Sequence, residues 1–253
     1  MSISRITHKV FIASLAFFCL SLAAKTVAGQ EESAGPKMPL AHGYHQLEFA
    51  LGEGPPLRSS VWVPKTTEER PLALVVALHW GGEVTPFFGM GILRTLAVPA
   101  FEDLNAIIVA PDCPGKGWSD STSEHHVLSL LKYAVEKWPI DTARIVITGY
   151  SMGGMGSWFF ASRHPDLLSA AVPVAGKPTG KDNVRVPVYA INGRHDTIID
   201  LGPTQRAIKE MRADGVRAEL VIVTGATHYE TGKFVSPLKK ATEWLQELWN
   251  STY

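Results

Sequence analysis

Apolar residues along the chain fall into short runs bounded by turn residues, and the character of these runs changes after the second. The first two runs alternate weakly between apolar and polar positions, which is typical of a half-exposed antiparallel edge. The later runs are continuously apolar and rich in β-branched residues, as strands covered on both faces must be. The predicted strands are residues 45–51, 59–64, 72–79, 106–111, 144–150, 170–176, 186–193 and 218–225.

Segments with helical periodicity lie between the later strands. Residues 123–138 place their apolar side chains on one helix face, and Ser123 stands where an N-cap belongs. The positions on that face are Val127, Leu128, Leu131, Ala134, Val135 and Trp138. Residues 204–215 and 238–249 predict two further helices, the first ended by Gly215. Alternation of this kind predicts an α/β fold with a mostly parallel eight-stranded sheet and helices on both faces.

The N-terminal region has the proportions of a secretory signal peptide over residues 1–29. Basic residues precede an uncharged apolar run, residues 10–24, and small residues follow it. That run is short for a membrane span and Lys25 ends it, so an uncleaved anchor is the weaker alternative. We therefore expect a secreted or periplasmic protein.

Removal of this segment leaves a solvated leader, residues 30–41, and one catalytic domain, residues 42–253. It also removes Arg5, Lys9 and Lys25, and no acidic residue, from a chain with 24 basic and 24 acidic residues. No basic block remains, which argues against nucleic acid as a partner.

Residues that could hold a metal ion are scattered rather than grouped. Cys113, the one cysteine left after cleavage, lacks a Cys or His at ligand spacing and is interpreted as a small packed residue. His125 and His126 point to opposite sides of a helix start. We expect neither a metal nor a cofactor.

The stretch GYSMGGMG, residues 149–156, places one serine among four glycines between a predicted strand and a predicted helix that ends at Pro165. Gly-x-Ser-x-Gly occurs by chance in many proteins, but a strand-to-helix turn is the context that a nucleophile elbow needs. Gly149 and Gly153 lie two residues on either side of Ser151, where a Cβ would collide with neighbouring backbone. Ser151 is thus the candidate nucleophile.

A serine nucleophile needs a base and an acid that orients it, and in this architecture the acid precedes the histidine along the chain. His228 follows the last strand and is the predicted base, whereas His164 is interpreted as the C-terminal cap of the elbow helix. Asp196 directly follows the penultimate strand and is the predicted acid. Asp200, four residues later, is the rival.

An oxyanion hole requires two N–H donors beside the serine. The backbone N–H of Met152 is the first, and the second is expected from the loop after the third strand, where the chain reads HWGG, residues 79–82. Gly81 is the preferred donor and Trp80 the second choice. Trp80 and Trp118 are also predicted to wall the substrate cleft, although packing explains Trp118 equally well.

The motifs LHWGG, GYSMGG, INGRHD and ATHYE together resemble those of a small α/β-hydrolase of the carboxylesterase and phospholipase type. The chain is similar to secreted esterases related to feruloyl esterases and polyhydroxybutyrate depolymerases, from about His45 to its C-terminus. Trp80 departs from the pattern, because the family usually has His-Gly there. A bulky side chain at this position would narrow the acyl pocket or change which amide serves the oxyanion.

The resemblance implies a serine hydrolase that cleaves carboxylic esters, either small molecules or ester-bearing polymers, through an acyl-enzyme. Only nine residues separate Gly176 from Val186, too few for an inserted lid. The alternatives are a serine peptidase of the prolyl-oligopeptidase type and a binding protein on the same fold without turnover. The acyl group, the alcohol and the oligomeric state stay open.

Overall fold

The computed structural model describes residues 41–50, 56–65, 71–180 and 183–251. The predicted signal peptide and nearly all of the predicted leader lie outside these residues. Within the described ranges, no helix is both long enough and apolar enough to span a bilayer.

Eight strands form one sheet, in the order β1-β2-β4-β3-β5-β6-β7-β8. Their bounds are β1 Gly43–Phe49, β2 Leu57–Val63, β3 Leu72–Leu78, β4 Ala106–Pro111, β5 Ile140–Tyr150, β6 Ala170–Val174, β7 Val188–Gly193 and β8 Ala218–Val223. The pairs β1–β2 and β2–β4 are antiparallel, and all later pairs are parallel. The predicted eight-stranded, mostly parallel sheet is therefore confirmed.

Burial along the strands follows the predicted change of pattern. Exposure alternates along β1, whereas every residue of β3, β4, β6 and β7 is buried. Because side chains alternate between the faces of a sheet, each buried strand contributes to two apolar layers. Ile147 of β5 belongs to one layer and Val146 to the other.

The helices cover both faces of the sheet. Their bounds are α1 Met90–Ile92, α2 Val98–Phe101, α3 Ser121–Lys137, α4 Met152–Arg163, α5 Leu201–Ala213 and α6 Val235–Asn250, with a π-helical turn Leu93–Ala97 between α1 and α2. Side chains of α3, α4 and α5 pack in one layer with Ile147. Those of α2 and α6 pack in the other with Val146.

Two details of α3 differ from the sequence prediction. Asp120, not Ser123, is the N-cap, and its carboxylate accepts a hydrogen bond from the N–H of Ser123 at 2.9 Å. Val135 was expected on the buried face but is 37% exposed, while Leu130 is fully buried. The helix therefore begins at Ser121, and its buried face includes Val127, Leu130, Leu131 and Ala134.

The described part of the chain contains one cysteine, Cys113, which is buried as predicted. Its Sγ lies 3.4 Å from Oγ of Ser123. Burial raises the pKa of this thiol. The residue is therefore a packed thiol rather than a reactive one.

Between β6 and β7, residues 175–180 and 183–187 form no helix or strand. The described part of this connection thus contains no inserted element that could cover the end of the sheet.

Candidate active site

Ser151 lies in a strained turn between β5 and α4. Its backbone has φ 57° and ψ −113°, a conformation that side chains other than glycine rarely adopt. The turn is held because the N–H of Ser151 donates to the carbonyl of Val174 at 3.0 Å, and the N–H of Met155 donates to the carbonyl of Ser151 at 2.9 Å. Strain of this kind persists only where the surrounding structure imposes it, and it concentrates at functional sites.

The glycines around Ser151 are required by close backbone contacts. A Cβ on Gly153 would lie 1.8 Å from the carbonyl oxygen of Leu78, and one on Gly149 would lie 2.4 Å from the carbonyl oxygen of Gly153. Farther along α4, a Cβ on Gly154 would lie 2.4 Å from the carbonyl oxygen of Val174. As expected, there is no room for a Cβ at Gly149 or Gly153. The glycines also allow α4 to pack closely on the sheet.

The structure brings together the three side chains singled out in the sequence. Oγ of Ser151 lies 2.8 Å from Nε2 of His228, and Nδ1 of His228 lies 2.8 Å from Oδ2 of Asp196. The side chains of His228 and Asp196 are 9% and 1% exposed. This arrangement can carry a proton from the hydroxyl to the imidazole and stabilise the charge that results.

The two rival carboxylates after β7 have different partners. Asp196 uses Oδ1 to accept from the N–H groups of Ile198 and Ile199, at 2.9 and 2.8 Å, which leaves Oδ2 to His228. Asp200 caps α5 by accepting from the N–H of Gly202 at 3.0 Å. Geometry therefore favours Asp196 as the partner of the histidine.

Of the two predicted oxyanion donors, Met152 directly follows Ser151 and Gly81 lies near the side chain of Met152. Met152 is the first residue of α4, so its N–H has no acceptor within the helix. Gly81 approaches the same residue, since a Cβ on Gly81 would lie 3.7 Å from Sδ of Met152. The helix N-terminus also favours negative charge at this position.

His79 supports the donor loop, a role that the sequence analysis did not assign. It is buried, and its Nε2 accepts from the N–H of Cys113 at 3.0 Å, so Nδ1 carries the proton and donates to the carbonyl of Trp80 at 2.7 Å. That carbonyl shares one peptide plane with the N–H of Gly81, and in a trans peptide the two point in opposite directions. The imidazole therefore directs the Gly81 N–H away from itself.

Asp112 holds the far end of the same loop. Its carboxylate accepts from the N–H of Phe87 at 2.6 Å and from the N–H of Gly89 at 3.1 Å. Burial raises the pKa of Asp112 despite these hydrogen bonds and the nearby His79. Two sequence features could have indicated these roles: the His before Trp-Gly-Gly and the Asp directly after a strand. They were missed because Cys113 and Phe87, which donate to these side chains, are distant along the chain.

The two tryptophans predicted to wall the cleft have different positions. Trp80 is half-buried, and its ring contacts the rings of Phe88 and Tyr150 at centroid distances of 6.3 Å. Trp118 is 1% exposed, and its indole N–H donates to the carbonyl of His79 at 2.9 Å. The assignment of Trp118 to the cleft wall is therefore wrong, because its side chain fills the core beneath the donor loop.

Three further histidines, His125, His126 and His164, have partners outside the triad. His164 closes α4 as predicted, and its Nε2 lies 2.8 Å from a carboxylate oxygen of Glu124. The rings of His125 and His126 are nearly perpendicular, with centroids 6.1 Å apart. Among the described residues, no group of three or more His, Cys, Asp or Glu side chains could hold a metal ion.

This sheet order, with a serine at a strained strand-to-helix turn and a histidine after the last strand, defines an α/β-hydrolase fold. Residues 107–241 match the model of the dienelactone hydrolase family, and the chain belongs to that family.

Two curated relatives are esterases by name. Feruloyl esterase B of Talaromyces stipitatus is 30% identical over 141 residues, which cover 51% of this chain and 38% of that protein. Acetylxylan esterase of Coprinopsis cinerea is 29% identical over 143 residues, which cover 51% of this chain and 37% of that protein. The match thus spans less than two fifths of each relative.

Solved structures share the fold at low sequence identity. The crystal structure of a thermostable esterase has a TM-score of 0.70 and 22% identity, and covers 81% of this chain and 62% of its own. The esterase of Pyrobaculum calidifontis has a TM-score of 0.64 and 15% identity, and covers 82% of this chain and 86% of its own. These likenesses establish the fold.

Proposed function

We propose that the protein is a serine hydrolase that cleaves carboxylic esters through an acyl-enzyme. The observation that carries this proposal is the continuous line of hydrogen bonds from Ser151 through His228 to Asp196, with 2.8 Å at each step. Membership of the dienelactone hydrolase family and the names of two relatives, feruloyl esterase and acetylxylan esterase, point to the same chemistry.

In the first half of the reaction, Nε2 of His228 takes the proton of Ser151 as Oγ attacks the ester carbonyl carbon. Asp196 holds the imidazole in the tautomer that accepts at Nε2 and stabilises the imidazolium. The N–H groups of Met152 and Gly81 receive the oxyanion. The tetrahedral intermediate collapses, and His228 returns the proton to the departing alcohol.

In the second half, water attacks the acyl carbon and gives its proton to His228. The bond between the acyl carbon and Oγ of Ser151 then breaks, and His228 protonates the serine again. No redox partner or metal enters this sequence, because each step transfers a proton or forms and breaks a C–O bond.

We also propose a secreted or periplasmic location, supported by the charge and hydropathy pattern of residues 1–29. The described part of the β6–β7 connection adds no covering element, which supports an open cleft. Because burial of each CH₂ contributes about 0.8 kcal/mol only while it leaves water, an open cleft gains little from long acyl chains. Short acyl or aryl esters are the proposed substrates.

A fluorophosphonate probe tests the nucleophile. It should label the wild-type protein once, and Ser151→Ala should abolish labelling and reduce turnover by about six orders of magnitude. Ser157→Ala is the control, since this buried serine lies on the same helix and only bonds the carbonyl of Gly153. Labelling that survives Ser151→Ala would show that another residue is the nucleophile.

A substrate panel tests the reaction class. Nitrophenyl esters of increasing chain length, hydroxycinnamate esters and short peptides should give the highest kcat/KM on short acyl or aryl esters. Cleavage of peptides alone would identify a peptidase. A rate that rises steadily to long chains, or jumps at an oil–water interface, would contradict the open cleft.

A further inference from the structure

Tyr150, the last residue of β5, has a buried hydroxyl with a single well-defined use. The residue is 3% exposed and directly precedes Ser151. Its phenol donates a hydrogen bond to the backbone carbonyl of His228, 78 residues farther along the chain. The strand that carries the nucleophile is thus bonded to the backbone of the loop that carries the base.

The ring of Tyr150 is fixed by other aromatic side chains. Its centroid lies 5.7 Å from that of His228, 5.5 Å from that of Phe234 and 6.3 Å from that of Trp80. The contacts with Phe234 and Trp80 are edge-on, with interplanar angles of 75° and 89°, a favourable geometry for aromatic pairs. The phenol therefore meets the carbonyl from a ring that has little freedom to rotate.

The phenol also keeps its proton. Burial raises the pKa of Tyr150, and the negative charges of Asp196 and Glu230 raise it further. A neutral phenol is a donor, and a carbonyl can only accept, so the bond persists throughout the pH range in which the fold is stable.

Consecutive residues of β5 and its turn thus contact two different parts of His228. Ser151 contacts Nε2 of the imidazole, and Tyr150 contacts the backbone carbonyl. Asp196 contacts Nδ1. The first of these contacts depends on the serine hydroxyl, and it is lost as soon as Oγ becomes an ester oxygen without a proton.

We infer that Tyr150 is a positioning residue that holds His228 in place during the acyl-enzyme stage of the reaction. The inference rests on the proposed function. At that stage His228 must take a proton from water as the water oxygen bonds to the acyl carbon, and then return it to Oγ of Ser151 as the acyl bond breaks. Only Asp196 and Tyr150, of the three contacts above, then still orient the base.

Pre-steady-state hydrolysis of 4-nitrophenyl acetate separates the two halves of the reaction. In Tyr150→Phe the ring stays and the hydrogen bond is lost. We expect deacylation to slow by about tenfold or more, since a displacement of 1 Å costs about a hundredfold, whereas acylation should change less than about threefold. The burst should then approach one nitrophenolate per enzyme, and kcat and KM should fall together.

Tyr189→Phe is the matched control. Tyr189 is a buried tyrosine of β7 in the same apolar layer, and its ring contacts Trp244 at 5.5 Å. Removal of this hydroxyl should leave both rate constants unchanged. Equal slowing of acylation and deacylation in Tyr150→Phe, or no slowing of either, would overturn the positioning role.

Hydrogen exchange gives a readout that does not depend on turnover. Amides of residues 224–230 should exchange faster in Tyr150→Phe than in Tyr189→Phe, while those of β3 and β6 should not change. Unchanged exchange would overturn the inference even in an active enzyme. A wild-type protein that forms no acyl-enzyme would instead refute the proposed function, so the two failures are distinguishable.

Phe234→Leu is the alternative test of this inference if Tyr150→Phe does not fold. It removes the edge-on contact that holds the tyrosine ring and leaves every proposed catalytic group in place. The same preferential slowing of deacylation is expected, to a smaller extent. A uniform loss of both rates in this variant would contradict the inference.

Discussion

The nucleophile elbow and the loops around it are held by different kinds of contact. At the elbow, backbone packs directly on backbone: Gly153 is in contact with the carbonyl of Leu78, and Gly149 with that of Gly153. The residues that make this packing possible lie within five positions of Ser151. The turn requires glycine at these positions, because a side chain there would collide with the backbone.

Four loops at the same edge of the sheet are instead held by a carboxylate that accepts backbone N–H groups. Asp112 holds the loop after β3, Asp120 the loop after β4, Asp196 the loop after β7 and Glu230 the loop after β8. In the first of these loops the carboxylate directly follows the next strand along the chain, 25 residues after Phe87, whose N–H donates to it.

This difference predicts which substitutions the fold should tolerate. A glycine that is enclosed by backbone cannot be replaced without moving main chain, since protein interiors are close-packed. A loop held by hydrogen bonds can shift by a fraction of an ångström when one bond is lost. Elbow substitutions should therefore affect folding, and loop substitutions should affect turnover.

The largest effect is expected from a pair of glycine substitutions. In Gly153→Ala the Cβ would meet the carbonyl oxygen of Leu78 at 1.8 Å, so we expect destabilisation of about 4 kcal/mol or more and little soluble protein. In Gly81→Ala the nearest atom is Sδ of Met152 at 3.7 Å, and the fold should persist. Thermal unfolding measures the difference in stability between the two variants. Equal melting temperatures would contradict the expected difference between the elbow and the loop.

Asp196→Asn should affect turnover without affecting the fold. Its remaining oxygen can still accept from Ile198 and Ile199, but the new amide would donate where His228 needs an acceptor. We expect turnover to fall by about 10⁴-fold. Asp200→Asn is the control: asparagine is as good a cap as aspartate, so activity and stability should both stay near wild type. The opposite ranking would move the acid to Asp200.

His79→Gln should have a smaller effect on turnover. The substitution weakens the hold on the Trp80 carbonyl, and thereby on the Gly81 N–H, without removing the donor. We expect kcat/KM to fall by about 10- to 100-fold, less than the loss of about 10²- to 10³-fold when a donor is deleted. His164→Gln, at the opposite end of α4, should leave kcat/KM unchanged. Equal values for both variants would exclude a role for His79.

The smallest effect concerns stability at acid pH. Burial lowers the pKa of His79 below its ordinary 6.5, although the bond to Trp80 and the charge of Asp112 oppose the shift. The unfolded chain therefore binds the proton more tightly, and the contribution of neutral His79 is present above pH 6.5 and declines as the pH falls below it. Urea unfolding at pH 8 and pH 5 should show a smaller pH difference in His79→Gln than in the wild-type protein.

Much of the fold follows from local pattern. Strands β3, β4, β6 and β7 are apolar at every position, and no other arrangement covers both faces of such strands as well as a parallel sheet between helices. The first and last residues of each strand were less well predicted from the sequence. The predicted strand 144–150 begins at Ile140 in the structure, because the parallel neighbour β3 extends the pairing to Leu72.

The candidate site was predictable where its residues directly follow strands of the sheet. Ser151, Asp196 and His228 each follow a strand that ends at one edge of the sheet, so their order along the chain brings them together. The role of Asp200 as a cap and the buried position of Trp118 were not predictable in the same way. Both depend on which neighbour each side chain meets.

By itself, the sequence determined the sheet, the elbow and the three side chains that meet at its edge. These follow from periodicity, from glycine spacing and from the rule that parallel strands end together. The tertiary structure alone decided how the loops are held: His79 against Trp80 and Cys113, and Tyr150 against the carbonyl of His228. The contacts of His79 with Cys113 and of Tyr150 with His228 join residues that are distant along the chain, and a hydrogen bond to a backbone carbonyl does not depend on the identity of the residue that carries it.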